Sequence, residues 1–431
     1  MSANGTHSMT GLGMISVYVR IALHVALAYA VRPRMFRYNP FAYLRFLWRA
    51  LNLLLVFRHN RVMRVHNGVK LHLYLPAYPS DAFFYTLEHK LLRTPPGSST
   101  IVLSMTKACS YHCPHCYQKN DSGADLTQAK LLDVARDLQE AGVAMFDIEG
   151  GEPFLRYERL LALVQALDER AEVWVNTTGA GAEPELFAQL CDAGLFGIMV
   201  SIHSPDSRRH DAFTGVPGSF DTACGVLRMC RDAGRVPVIN CVMSEQEARA
   251  GELDRLMDLA RELGCAYVQL IHPKPAGAWL GKCDGMQTDA DLIQRLQEAH
   301  RLYNSSAKAG HPALSAQVFE ERHDVLGCTA GAVDRFYINA KGEVQPCEFL
   351  NLSFGNLTDE SLGDILARMR SYFAVPCSDW LCVTQAPAID SLMKQHGLTQ
   401  TPVPWRHTEE LVESWDRGQP TPLYRRLGVY R

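Results

Sequence analysis

Between residues 101 and 271 the chain repeats one pattern, a short apolar run followed by an amphipathic segment, and few folds accept it. The apolar runs are 101–105, 145–149, 172–178, 197–203, 236–242 and 266–271. They are too short for helices and rich in Val and Ile, so each reads as a strand. Helical segments are expected at 184–193, 219–233 and 245–263, closed by Gly194, Gly234 and Gly264, with Ser219 as an N-cap. An earlier helix starts at Thr127, carries Leu131, Leu132, Val134, Ala135 and Leu138 on one face, and ends at Gly142. Strands alternating with helices of this kind build a parallel sheet, whose ligands gather beyond the carboxyl ends of the strands.

Two unusual loops fall at such ends. The first run leads straight into Cys109-x3-Cys113-x2-Cys116, and the second into Gly150-Gly151-Glu152-Pro153. Three thiols on one short loop can hold three irons of a [4Fe–4S] cube and leave the fourth iron without a protein ligand. A structural zinc knuckle is the other reading, with His112 or His115 as the fourth ligand. The paired glycines let the backbone approach a bound molecule closely, and Glu152 or free carbonyls could accept from an ammonium.

With both loops in one βα frame, the chain resembles the radical S-adenosylmethionine (SAM) enzymes. Their signature is Cys-x3-Cys-x-aromatic-Cys, followed one βα unit later by Gly-Gly-Glu-Pro. Here His115 takes the aromatic position and Tyr117 follows the last cysteine. The resemblance implies that Cys109, Cys113 and Cys116 hold the cluster and that SAM chelates its open iron. It assigns Tyr117, Gly150, Gly151, Glu152, Pro153, Thr178 and Ser201 to SAM binding. Thr178 stands where relatives carry Asn, and His203 where they often carry Asp. Thr177, Asn240, Gln269 and His272 also end strands, with nothing in the sequence to mark them as more than polar strand ends. The implied chemistry is reductive cleavage of SAM to a 5′-deoxyadenosyl radical, which takes hydrogen from an unactivated C–H bond. A flavodoxin or ferredoxin would donate the electron.

Further on lie Cys328-x13-Gly342-x4-Cys347 and Cys377-x4-Cys382. The stretch around Asn339–Gly342 reads as a hairpin turn returning the chain to Cys347. This half, with Phe354-Gly-Asn-Leu357, is similar to the SPASM and twitch extensions of the same superfamily. The second half has fewer cysteines than a full SPASM region, so the resemblance implies one auxiliary [4Fe–4S] cluster on Cys328, Cys347, Cys377 and Cys382. Of the 13 cysteines, Cys191, Cys224, Cys230, Cys241 and Cys265 fall inside strands or helices and read as small buried hydrophobes, while Cys283 lies in a loop. Thiolate clusters need a reducing compartment, which points to the cytoplasm.

The start of the chain has a different character. Residues 1–80 contain ten Lys/Arg and no Asp/Glu, which leaves the rest at −13 within an overall −3. Two long apolar stretches, 12–31 and 41–57, are interrupted by arginines. Arg20 and His24 share a helical face, and so do Arg45, Arg49 and Asn52, opposite Leu47, Trp48, Leu51, Leu54 and Leu55. Basic amphipathic helices of this type lie in membrane interfaces, so a peripheral position on an anionic cytoplasmic leaflet is expected. Packing on the body of the protein is the alternative. No nucleic-acid partner is expected, since no recognition fold accompanies the charge.

The fold expected is therefore α/β: a partial (βα)6 TIM-type barrel, an N-terminal basic amphipathic helical region and a small C-terminal α+β auxiliary Fe–S domain. Residues 1–97 make the basic region with a short strand pair and linker, 98–310 the barrel, 311–390 the auxiliary domain and 391–431 a tail. The function expected is oxidation of a peptide or membrane-associated substrate. A lipid or small-molecule substrate and a non-catalytic Fe–S or zinc scaffold are the other classes.

Overall fold

The computed structural model describes residues 8–30, 40–66, 68–93, 97–282, 290–373, 375, 380–415 and 419–430. Two helices open it, α1 (Gly11–Ala30) and α2 (Pro40–Val56). A small antiparallel sheet follows, made of β1 (Ser8–Met9), β2 (Val62–Val65) and β3 (Gly68–Lys70), and then α3 (Asp81–Leu91).

The repeating core is β4 (Thr100–Ser104), α4 (Gln128–Ala141), β5 (Met145–Glu149), α5 (Tyr157–Gln165), β6 (Glu172–Thr177), α6 (Pro184–Asp192), β7 (Leu195–Ser201), α7 (Ser207–Thr214), α8 (Ser219–Asp232), β8 (Val236–Val242), α9 (Glu245–Arg249), α10 (Glu252–Leu263) and β9 (Tyr267–Ile271). Then come α11 (Ala290–Tyr303), β10 (Ala313–Ala316), α12 (Gln317–Glu320), β11 (Arg335–Ile338), β12 (Val344–Gln345), α13 (Leu362–Tyr372), α14 (Leu381–Thr384), α15 (Ala386–Gln395), α16 (Trp405–Val412) and α17 (Pro422–Leu427).

Local chemistry sets several boundaries. Thr127 caps α4 by accepting from the Lys130 amide (3.3 Å), and Gly142 ends it in the left-handed region. Two expectations need correction. Ser219 is the first residue of α8 rather than its cap, because Asp211 accepts from its hydroxyl (2.9 Å) while Gly218 takes the cap at φ +81°. The helix expected over 245–263 is two helices, since Gly251 at φ +74° breaks the turn between α9 and α10.

The six strands expected, β4 to β9, lie side by side in chain order and parallel. Two strands extend the same sheet. β10 adds in parallel to β9, and β11 adds in parallel to β4, carrying β12 antiparallel on the outside. The nine-stranded sheet keeps two free edges, so the barrel is partial. Helices α4, α8 and α10 each bury an apolar face against it.

The N-terminal segment closes one end of the barrel. Met63, Val65, Leu73 and Ala77 pack among Met145, Trp174, Val236 and Tyr267, residues near the amino ends of the strands. Lys70 reaches Glu172 at the first position of β6 (2.5 Å), with both side chains buried. The opposite end, where the two special loops sit, stays open for chemistry.

Candidate active site

Gly150 and Gly151 lie directly beneath the cysteine loop. The Gly151 amide donates to the Thr106 carbonyl and the Glu152 amide to the Ala108 carbonyl, both at 2.7 Å. A Cβ at Gly151 would stand 2.3 Å from the Ala108 oxygen, and one at Gly150 2.5 Å from the Thr106 oxygen. Only glycine lets these backbones run so close. Cys109 is exposed, while Cys113 and Cys116 are half-buried. Burial and then the neighbouring Cys116 and Cys109 push the Cys113 thiol up to about 12. Among the described residues no three metal-ligating side chains converge on a single ion. A cube differs from a lone ion in taking each thiol on a separate iron, and three thiols spread along one loop suit that requirement.

The Glu152 carboxylate is fully engaged by protein. It accepts from the Thr177 hydroxyl (2.7 Å), the Thr178 amide (2.7 Å), the Thr178 hydroxyl (2.6 Å) and the Phe154 amide (3.0 Å). Glu152 therefore ties the Gly-Gly-Glu-Pro segment to the end of β6, and the acceptors left for an ammonium are backbone carbonyls. Pro153 is buried and opens a 3-10 turn that Glu152 caps. Tyr117 is covered by the loop after β9, where a Cβ at Gly277 would meet its Cα at 2.3 Å. The Tyr117 hydroxyl donates to Glu149.

One cavity of about 470 Å³ gathers Cys109, Cys113, Cys116, Tyr117, Gly150, Gly151, Thr178 and Ser201, with Glu152 and Pro153 lying outside its wall. It continues to Arg335 and Glu348, beside the second thiol group. Cys328, Cys347 and Cys382 are buried there. Arg335 donates to the Cys347 sulfur (3.7 Å) and to Glu321 (3.0 Å). Burial pushes the Cys328 thiol up to about 12, Glu321 and then Cys382 adding to it. Cys377 and Cys283 lie outside the described residues. Cys382 acts electrostatically on both Cys328 and Cys347, and three buried thiols so placed are a donor set that suits an iron–sulfur cluster.

Register joins Ser201 to site residues that the sequence left undistinguished. Ser201, Asn240, Gln269 and Ser315 form one continuous rung across β7, β8, β9 and β10, and all four line the cavity. Asp147 and Glu149 project into it from β5, where polar residues two apart share a face. Burial pushes both carboxyls up to about 8, Glu348 adding repulsion at Asp147. The signal was available, since 146–149 alternates apolar with acidic. His203 stands with His115 (4.6 Å between ring centres) and Phe213 (4.7 Å) next to the cysteine loop, and burial holds its imidazole neutral. His272 contacts Lys274 and Trp380 instead of the cavity.

The raised carboxyls have a consequence for stability. Their unfolded values lie near 4, so between about pH 4 and pH 8 the native state holds protons the unfolded chain has lost. Stability then falls as pH rises through that window. Asp147→Asn is expected to flatten this fall, read as urea midpoints across the window; an unchanged slope would remove Asp147 from the account.

Family models decide the lineage. The model of the radical SAM superfamily matches residues 103–268, and that of the SPASM iron-sulfur cluster-binding domain matches 328–379. The chain belongs to the radical SAM superfamily. This radical SAM enzyme is 23% identical to an AdoMet-dependent heme synthase of Methanosarcina barkeri, over 62% of this chain and 81% of that one. It is 21% identical to a PqqA peptide cyclase of Granulibacter bethesdensis, over 76% and 94%. The structure of Streptococcus suis SuiB bound to S-adenosylmethionine shares the fold at TM-score 0.52 and 17% identity, over 69% of this chain and 72% of that chain. The cofactors of such a chain are SAM and [4Fe–4S] clusters.

Proposed function

We propose that this radical SAM enzyme oxidises a peptide, taking hydrogen from an unactivated C–H bond inside the barrel cavity. Cys109, Cys113 and Cys116 would hold the SAM-binding cluster, which when bound supplies the electron that cleaves SAM. Cys328, Cys347 and Cys382, with Cys377, would hold the auxiliary cluster. The observation that carries the peptide reading is the cavity's supply of acceptors. Asn176 Oδ1, Asn240 Oδ1 and Gln269 Oε1 are buried there with no partner among the described residues. Such oxygens call for N–H donors, which a peptide backbone presents in series.

The relatives support the same direction. The PqqA peptide cyclase aligns over 94% of its length, and SuiB has been seen with its precursor peptide SuiA. The enzyme would work in a reducing compartment, the cytoplasm, served by a flavodoxin- or ferredoxin-type donor, and at the face of a membrane. The test is anaerobic turnover of the reconstituted protein with SAM, dithionite and a pool of uniformly deuterated short peptides. Deuterium is expected in the 5′-deoxyadenosine. Deoxyadenosine that stays unlabelled with peptides, yet gains deuterium from deuterated phospholipid vesicles, would replace the peptide reading with the lipid one.

A further inference from the structure

Of twelve large apolar side chains exposed among the described residues, ten lie on α1 and α2. On α1 they run from Leu12 to Leu27, opposite a stripe of Val17, Ile21, Val25 and Tyr29 that is buried in the protein. The α2 set, Phe41, Leu44, Trp48, Leu51 and Leu55, recurs every three or four residues and so forms one stripe. Of the apolar face expected on α2, Trp48, Leu51 and Leu55 look outward and Leu54 is buried, while Arg49, expected on the polar face, turns inward. Its guanidinium donates to the Leu427, Gly428 and Leu91 carbonyls at 2.7–2.9 Å, the first two at the carboxyl end of α17.

Where the α2 stripe ends, a second pocket of about 420 Å³ begins, and Leu55 belongs to both. Its walls include Arg58, Arg301, Arg322 and Arg426. The one carboxylate there, Asp324, pairs with Arg322 (2.7 Å), and the other three arginines make no ion pair among the described residues.

We propose that this face docks the enzyme on an anionic phospholipid bilayer, the α1–α2 stripes entering the acyl boundary and the arginine pocket receiving headgroup phosphates. The proposal deepens the membrane location named above and stands apart from the peptide chemistry. Charge selects the occupant. Arg58, Arg301 and Arg426 leave the face with cations that no acid of the described residues pairs, so two copies of it would repel one another, whereas an anionic leaflet complements it. By length and composition α1 could cross a membrane. Its inner stripe is held in the core, however, and His24 bonds the Tyr78 hydroxyl (2.6 Å), so α1 lies along the surface.

The test is flotation of the full-length protein with vesicles of phosphatidylcholine alone or mixed with phosphatidylglycerol. Binding is expected only to the mixed vesicles and is expected to weaken as salt rises. Arg58→Gln/Arg301→Gln/Arg426→Gln should bind them about tenfold less tightly or worse, and Trp48→Gln/Leu51→Gln/Leu55→Gln should not bind. Both variants should keep the circular dichroism and the deoxyadenosine formation of the native chain, which separates lost docking from lost folding. Equal binding to both vesicles, or a salt-insensitive interaction of the native protein, would overturn the proposal without recourse to variants. So would a dimer in light scattering that the Trp48/Leu51/Leu55 variant converts to a monomer.

Discussion

The variant Cys109→Ala/Cys113→Ala/Cys116→Ala is expected to form no 5′-deoxyadenosine while keeping about four of about eight irons per chain. The two thiol groups are structurally separate. The first belongs to one loop after β4 and is half open to the cavity. The second is buried behind β11 and β12, with Cys347 pinned by Arg335 and its own thiol donating to Glu348 (3.0 Å). Removing the loop thiols takes nothing from that second environment, so its iron should persist after anaerobic reconstitution and desalting. Iron analysis and chromatography of the quenched reaction read the two outcomes independently. Deoxyadenosine from the variant would refute the assignment of the loop. Iron falling to none would leave the second thiols with a structural role only.

Much of this architecture was legible because its signals are local. Alternating apolar and amphipathic segments place β4 to β9, and Thr127 and Gly142 bracket α4 through their own backbone chemistry. The strands that extend the sheet are another matter. β10 is Ala-Leu-Ser-Ala, without the β-branched residues that mark a strand, and β11 pairs with β4 across more than half the chain. Neither relation is written in a short window. The same holds for the cavity rung, where Asn240 and Gln269 acquire meaning only once β8 and β9 are in register. Glu152 shows the reverse case. Its type and position mark it as special, yet its oxygens are spent on Thr177 and Thr178, which no spacing rule foretells. Composition identified the N-terminal helices as amphipathic and basic, but which face turns inward depended on α17, whose carbonyls claim Arg49.

Lys70→Met is expected to lower stability by about 3–5 kcal/mol, the usual cost of removing one partner from a buried ion pair. The ammonium is wholly buried, bonded to Glu172 (2.5 Å) and the Leu75 carbonyl (2.8 Å), and lies 5.2 Å from the ring centres of both Trp174 and Phe196. Glu172 also accepts from the Ala77 amide (2.6 Å) and the Trp174 indole (2.8 Å). Without Lys70 its charge has no counter-ion on the barrel floor. Lys70→Met/Glu172→Met should recover only part of the loss, because those two donors are then buried without an acceptor. Urea unfolding of the iron-free protein, followed by tryptophan emission, reads the effect. Function is coupled to the same joint, since His72, Tyr74 and Leu75, the residues just beyond Lys70, line the cavity. A loosened floor admits water to the site, so the variant should also form more deoxyadenosine uncoupled from substrate. An unchanged midpoint together with unchanged uncoupled cleavage would mean that the β2–β3 hairpin does not seal the barrel.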